Sequence, residues 1–359
     1  MIIMQRRGIC IHCCNIWFTR LLLILTMVGS SAGMQVMVTG ANGFIASHIV
    51  KQLLEKGHIV HACVRDATKT DSIHHLLQLP NAGNNLRLFS TGDLGAPTGA
   101  FDTPMMGCEA VFHAATPLNV KFGTHDGENS ILKPAMASTQ EILDCIGRNK
   151  NTVKCLILTS SMSAVAPQPE PAIKNESHWS DPEAQKSRGS WYGATKTLQE
   201  LLVQTWVEKE MKGIDFKYVA ICPTMVVGPN LNPTSDASSG TTGRLLSWFR
   251  GDRTEAPNDS MSLIHVDDCA RMHTNALELS HAQGRYMCLV ESLHWNDIIT
   301  ILQKIYPNMR HVKPYEGNDK VKPTQFDLEK MNTLGVKVRS LEDTFKDSLT
   351  YLKARGELD

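Results

Sequence analysis

The sequence predicts an α/β protein built on a doubly wound parallel sheet with helices on both faces. Three observations carry that prediction. A short apolar run ends in a glycine-rich turn and feeds an amphipathic helix; further apolar runs follow, separated by helical stretches; and the chain, at 359 residues with 42% apolar and 20% charged, is long enough to bury a large core. The formal charge is zero, from 36 basic and 36 acidic residues, with no long basic run. That balance points away from nucleic acid and anionic membranes and towards a small-molecule partner.

Residues 1–33 stand apart from this pattern. "RLLLILTMVGSSAG" has the outline of a signal peptide, and its apolar run is too short to span a bilayer. The segment reads as a targeting signal, an anchor, or a disordered extension ahead of a body that begins at Met34. A membrane partner follows only from the anchor reading, and the expected location is otherwise cytoplasmic. Of the 10 cysteines, Cys10, Cys13 and Cys14 cluster in this extension, without the second pair that a zinc site needs. The others (Cys63, Cys108, Cys145, Cys155, Cys222, Cys269, Cys288) are scattered singly, as buried thiols in a reducing compartment are. No metal site is expected.

The elements then follow in order. "QVMVTG" is a buried strand entering a tight turn, and 44–56 places Ile45, Ile49, Leu53 and Leu54 on one helical face before Gly57 stops it. Strand-like runs recur at 58–65, 86–94, 110–117, 153–161 and 216–228, with helical segments at 133–149 and 192–212. In such a fold the ligand lies at the carboxyl ends of the strands.

The turn "TGANGFIA" fits a dinucleotide. Gly40 permits the turn, Gly43 lets the backbone approach a pyrophosphate, and Ala46 is small enough for close helix packing. The helix that starts near Phe44 directs free N–H groups at the phosphates. After the second strand stands Arg65, where a guanidinium suits the 2′-phosphate of NADP, with Lys69 able to assist. Asp66 keeps NAD possible. Asp93 and Leu94 end the third strand where an adenine ring would lie.

"SWYGATKTLQE" supplies the chemistry. Tyr192 and Lys196 leave one helical face, so the ammonium is expected to draw the phenol down from its usual ~10 towards a working range. The same lysine can hold the nicotinamide ribose. A third group to orient the substrate oxygen comes from Ser160 or Ser161 at the end of "LILTSS".

With these motifs the sequence resembles the extended short-chain dehydrogenases/reductases, in the branch of dihydroflavonol, cinnamoyl-CoA and fungal-type aldehyde or methylglyoxal reductases. The resemblance runs from Met34 to Leu358 through "TGANGFIASHIV", "VRD", "VFHAATP", "LTSS", "CPTMVVGP", "HVDD", "GRYMC" and "SLEDTFKDSL". It implies catalytic roles for Ser161, Tyr192 and Lys196. It also implies cofactor contacts from Gly40, Asn42, Phe44, Ile45, Arg65, Asp93, Leu94, Ala114, Pro223 and Thr224. The organisation implied is a Rossmann domain over 34–222 and a smaller substrate lobe over 223–359, partly interleaved with the sheet. The expected reaction is NADPH-dependent reduction of an aldehyde or ketone by a monomer or homodimer.

Departures bear on the substrate. Dihydroflavonol reductases typically carry asparagine five residues after the serine; Ala166 stands here and argues against a flavonoid. Cinnamoyl-CoA reductases usually read "NWYCYGK" against "SWYGATK". Alternatives are a nucleotide-sugar epimerase or dehydratase, a hydroxysteroid dehydrogenase using NAD, and a dinucleotide sensor without chemistry. The epimerase reading lacks its usual arginine, since Met261, Ser262 and Leu263 occupy that stretch, and a sensor tends to lose Tyr192 or Lys196. His265, Asp267 and Asp268 are expected to be structural, and His74, His75 and His273 to be surface or packing residues. The run 244–253, with Trp248 and Phe249, reads as an amphipathic helix, or else as a contact for an anionic substrate.

Overall fold

The first described strand is β1 (Gln35–Thr39), which runs through the turn into helix α1 (Phe44–Glu55). The computed structural model describes residues 33–95, 98–117 and 126–359; the "CIHCC" cluster and the proposed targeting segment lie outside them. The chain continues with β2 (Ile59–Val64), α2 (Thr70–Leu77), β3 (Leu86–Ser90), β4 (Ala110–His113), α3 (Lys133–Arg148), β5 (Cys155–Thr159) and the short β6 (Ile173–Lys174). After α4 (Trp191–Glu210) come β7 (Lys217–Pro223), β8 (Met225–Val227), α5 (Gly240–Phe249), β9 (Ser260–His265) and α6 (Val266–Glu278). The last elements are β10 (Gly284–Cys288), β11 (Ser292–His294), α7 (Trp295–Ile305), β12 (Gln325–Phe326) and α8 (Leu341–Ala354).

Seven strands form one parallel sheet in the order β10-β7-β5-β4-β1-β2-β3. The doubly wound expectation is met, and the strand alternation shows why. Val36 and Val38 face the core under α1 and α6, whereas Met37 faces the one under α3 and α4. Leu156 and Leu158 likewise oppose Cys155 and Ile157, so both faces are apolar and both need helices.

The run expected as one strand over 216–228 is two. Pro223 has no N–H to extend the ladder, and Thr224 turns the chain. Its N–H donates to Cys288 O at 3.1 Å and its hydroxyl to Ser262 O at 2.5 Å, so β8 enters a second sheet of order β11-β9-β8. A second core surrounds that sheet, drawn from residues between Met225 and Leu352. Trp248 stacks on Trp295 at 4.8 Å, while Arg244 and Arg253 cover their rings at 5.4 and 5.2 Å. As the amphipathic-helix reading of 244–253 expects, α5 runs to Phe249 and buries Leu245, Leu246, Trp248 and Phe249. Among the described residues, no helix is long and apolar enough to cross a membrane.

Helix α1 is clasped to α6. Both ring nitrogens of buried His48 donate, Nδ1 to the Asp267 carboxylate at 2.6 Å and Nε2 to Pro229 O at 3.0 Å. His265 caps α6 by accepting from Asp267 N, and Asp268 is buried against Arg339 at 2.5 Å. His273 is fully buried between Thr159 and Cys269 O, and His75 is buried while His74 is exposed. Burial pushes the Asp267 carboxyl up, but the hydrogen bond and charge of His48, with Lys51 and His265, outweigh it and hold the group well below the usual carboxylate range. A depressed carboxyl stabilises the fold above its unfolded pKa, and that contribution is lost as the pH falls. Asp267→Asn is therefore expected to lower stability at pH 7 by about 1.5–3 kcal/mol, the scale of a charged hydrogen bond. Urea melts of both proteins should converge as the pH falls below about 4.

Candidate active site

The carboxyl ends of the seven parallel strands lie on one edge, and the order reverses between β1 and β4. Connections leave β1 to one side and β4 to the other, which opens a crevice there. Gly40 turns the chain into it with φ +62°, and a Cβ at this position would lie 3.1 Å from Ala115 Cα. Gly43 N–H donates back to Gly40 O at 2.8 Å, and a Cβ on Gly43 would lie 3.0 Å from that oxygen. Gly43 begins α1 with extended backbone and no side-chain cap, so the Phe44 and Ile45 N–H groups have no intrahelical acceptor. Asn42 donates its amide to Ser72 O at 3.3 Å and ties the turn to α2. Two close backbone approaches and an uncapped helix start fit a pyrophosphate.

A neutral hydrogen-bonded array forms the floor of the crevice. Thr39 Oγ1 accepts from both Ala114 N and Ala115 N at 3.1 Å and donates to His113 Nδ1 at 2.9 Å. His113 Nε2 and Gln199 then donate to Thr139 Oγ1, at 3.2 and 2.8 Å, and Thr139 donates to Ala135 O. Burial, with Lys196 nearby, pushes His113 down to about 3 and keeps the imidazole neutral.

At the end of β2, Arg65 meets Asp93 at 2.5 Å, with 62% and 78% of the two side chains exposed. The sequence assigned these residues to different parts of a nucleotide, and the structure joins them to each other. An ion pair this exposed is worth under about 1 kcal/mol, so a phosphate competes for Arg65 at little cost. Asp66 is engaged locally, accepting from Thr68 N at 2.9 Å, while Lys69 precedes the first turn of α2. Leu94 follows Asp93 and is half-buried.

Tyr192 and Lys196 lie in the first two turns of α4, which follows from the i, i+4 spacing. Lys196 Nζ stands 5.9 Å from the Tyr192 ring centroid. Ser161 lies at the end of β5, where its Oγ accepts from Ser163 N and donates to Ser163 Oγ, both at 3.1 Å. Ser160 instead faces inward and donates to Glu200, which leaves Ser161 as the serine at the phenol. The Lys196 ammonium donates to Thr159 O at 2.8 Å and to Thr116 Oγ1 at 2.7 Å. Pro223 ends the neighbouring strand β7, Thr224 follows it, and Ile221 O of that strand accepts from Ser160 N at 2.7 Å.

One expectation fails here. Burial raises the Tyr192 phenol above its ordinary value, and Ser161 only partly counters it. Lys196 Nζ, 5.9 Å from the ring centroid, is engaged with Thr159 O and Thr116 Oγ1. Lys196 is itself pushed down by burial to about 8, with Glu200 and Cys222 acting the other way.

Against this geometry, the sequence profile of the NAD dependent epimerase/dehydratase family matches residues 36–288. The chain belongs to that family. Within it, tetraketide alpha-pyrone reductase 2 of Arabidopsis thaliana is 34% identical, covering 90% of this chain and 99% of the relative. The bifunctional dihydroflavonol 4-reductase/flavanone 4-reductase of Malus domestica is 35% identical, over 89% of this chain and 91% of its own. The yeast methylglyoxal/isovaleraldehyde reductase, solved with NADPH, superposes with a TM-score of 0.77 at 25% identity, covering 90% of this chain and 100% of that one.

Several polar residues of this family member escaped the sequence reading. Thr39, His113, Thr116, Gln199, Glu200 and Arg285 all support the crevice. The available signal was on α4, where Thr195, Lys196, Thr197, Gln199 and Glu200 crowd two turns and all are buried. Gly40→Val should test the crevice directly. Left-handed backbone and the Ala115 contact predict a loss of stability of at least about 1–2 kcal/mol, together with loss of dinucleotide binding by nucleotide fluorescence titration.

Proposed function

We propose that the chain reduces an aldehyde or ketone to an alcohol with NADPH, with Tyr192 as general acid, Ser161 as oxygen ligand and Lys196 as ribose anchor. It is an NAD(P)-dependent carbonyl reductase of the extended short-chain dehydrogenase/reductase type, in keeping with its reductase relatives. The observation that carries the residue assignment is the placing of Tyr192 and Lys196 on one face of α4, with Ser161 beside the phenol, at the strand edge that holds the glycine turn. The choice of NADPH rests on Arg65, free to leave a weak surface pair, and on the NADPH complex of the yeast reductase.

NADPH, held by the glycine turn, Arg65 and Lys196, would supply the hydride. A substrate oxygen placed between Tyr192 and Ser161 gains negative charge as its carbon is reduced. Ser161 can turn its hydrogen from Ser163 Oγ to that oxygen, while the Ser163 N–H keeps Oγ in place. Burial keeps Tyr192 protonated at neutral pH, so its proton is available to the developing alkoxide. Two of the three Lys196 donors are fixed on Thr159 O and Thr116, which leaves one for a ribose hydroxyl. The second core, from Met225 onward, is the wall we assign to the substrate lobe. Half-buried Ala166 offers no side-chain hydrogen bond there, consistent with a substrate other than a flavonoid. The seven free, buried cysteines of the described residues favour a reducing compartment, and we place the protein in the cytoplasm.

The function is tested by titrating the full chain with NADPH and NADH and following NADPH oxidation against methylglyoxal, aliphatic and aromatic aldehydes, cinnamoyl-CoA, a dihydroflavonol and a steroid ketone. Turnover on at least one is expected; none, with NADPH unbound, would sink the reading. Tyr192→Phe should lower kcat by at least ~100-fold, with NADPH affinity nearly unchanged. Arg65→Ala should weaken NADPH by roughly 10- to 100-fold, the scale of a charge-assisted contact, and leave NADH as it was. Equal losses for both nucleotides would remove Arg65 from the 2′-phosphate site.

A further inference from the structure

Behind the serine strand lies a buried ion pair that the reaction described above does not use. Glu200 is fully buried one turn beyond Lys196 on α4, and its Oε2 accepts from Arg285 Nε at 2.6 Å. Its other oxygen accepts from Ser160, the residue next to Ser161, and lies 3.6 Å from the Cys222 thiol. Arg285 reaches this point from the edge strand β10. Its remaining donors go to Ala164 O at 2.9 Å, in the turn that follows Ser161, and to Glu176 O and His178 O at 3.0 and 2.6 Å. The guanidinium also stacks on Trp179 at 3.7 Å. Two buried charges thus bind the end of β5, the turn after it, the catalytic helix and the 176–179 segment together.

A pair of this kind is a poor source of stability, because both ions forfeit water, and apolar residues of similar volume often do as well. What it provides here is position. The groups facing Lys196 and Glu200 narrow the electrostatics further. Burial keeps His113 neutral and pushes the Cys222 thiol and the Tyr218 phenol well up, so these three carry no charge at neutral pH. Tyr192 is protonated as well. Among the described residues named by contact, the Glu200 carboxylate is the negative charge beside Lys196, and Arg285 is its counter-ion.

We propose that Glu200 is a positioning residue of the reductase site: anchored by Arg285, it fixes through Ser160 the strand end that carries Ser161 and sets a carboxylate one helical turn from the Lys196 ammonium. The inference rests on the function proposed above. Its mark is a combined effect on rate and on the basic limb of the pH profile. Burial draws Lys196 down to about 8 and Glu200 opposes this, so removing the carboxylate makes the lysine lose its proton at lower pH.

The test uses the full chain and the best carbonyl substrate of the panel, with kcat, KM and NADPH affinity measured from pH 6 to 10 alongside thermal melts. Glu200→Gln alone leaves Arg285 buried without a counter-ion and endangers the fold, so the main variant pairs Glu200→Gln with Arg285→Met. It should lower kcat at pH 7 by about tenfold or more and move the basic limb down, since Glu200 is named among the groups acting on Lys196 and the farther Arg285 is not, with KM and NADPH affinity within about threefold. Glu200→Asp retains the charge and should return the limb towards wild type. Ser160→Ala keeps the ion pair and should lower kcat about threefold or more without moving the limb. A purely structural pair would reduce the amount of folded enzyme and leave the limb in place. If the wild type turns over and the double variant keeps its rate and limb, or Ser160→Ala keeps the wild-type kcat, the role of Glu200 is overturned and the reductase stands. If the wild type oxidises no NADPH with any carbonyl, both fall.

Discussion

The Thr39 hydroxyl accepts two backbone N–H groups from the end of β4 while it donates to a neutral histidine beneath them, and the geometry of the crevice follows from that junction. β1 and β4 are neighbours in the sheet, but their connections leave in opposite directions, so nothing in the ladder itself defines the gap beyond their last pair. The hydroxyl does so. It brings Ala115 so near the turn that only glycine fits at position 40, and this bare backbone suits the close approach of a phosphate that the proposed function requires. His113, Thr139 and Gln199 extend the same set of bonds to α3 and to α4. The glycine turn and the start of α4 are therefore held by one continuous array of uncharged groups.

The dryness of that array shapes the acid chemistry. In water a lysine one turn from a tyrosine would be a full cation beside a phenol of ordinary acidity. Here desolvation acts on both, lowering the lysine and raising the tyrosine, because each charged form is penalised. For a reductase this is a workable arrangement. In the proposed mechanism Tyr192 keeps its proton until charge develops on the substrate oxygen, and Lys196, pushed down to about 8, lies close enough to neutral pH for a neighbouring carboxylate to influence it.

Local features were legible in the sequence because each is encoded within a few residues. The glycine turn is set by the absence of side chains at 40 and 43, and the pairing of Tyr192 with Lys196 by helical spacing. The strands showed themselves as apolar runs, since burial on both faces leaves no room for alternation. What escaped depends on residues far apart in the chain. Ser160 and Ser161 looked equivalent until Glu200 claimed the first. Arg65 and Asp93 each stood out near a strand end, but not as each other's partners. The break at Thr224 was hidden because its cause is Ser262, an acceptor in a strand of the second sheet. Lys196 was legible as a neighbour of Tyr192 on one helical face, but its acceptors were not, because Thr159 and Thr116 lie far off in the chain where no spacing rule reaches.

Strand β10 pairs with β7, but the chain makes α5, β9 and α6 between them. During synthesis at ~5–20 residues per second, the outer edge of β7 waits several seconds for the strand that covers it. That edge is apolar and unpaired, the kind of surface on which nascent chains join one another. A chain that stops short of Cys288 would thus carry an open sheet edge at β7, which only β10 covers among the described residues.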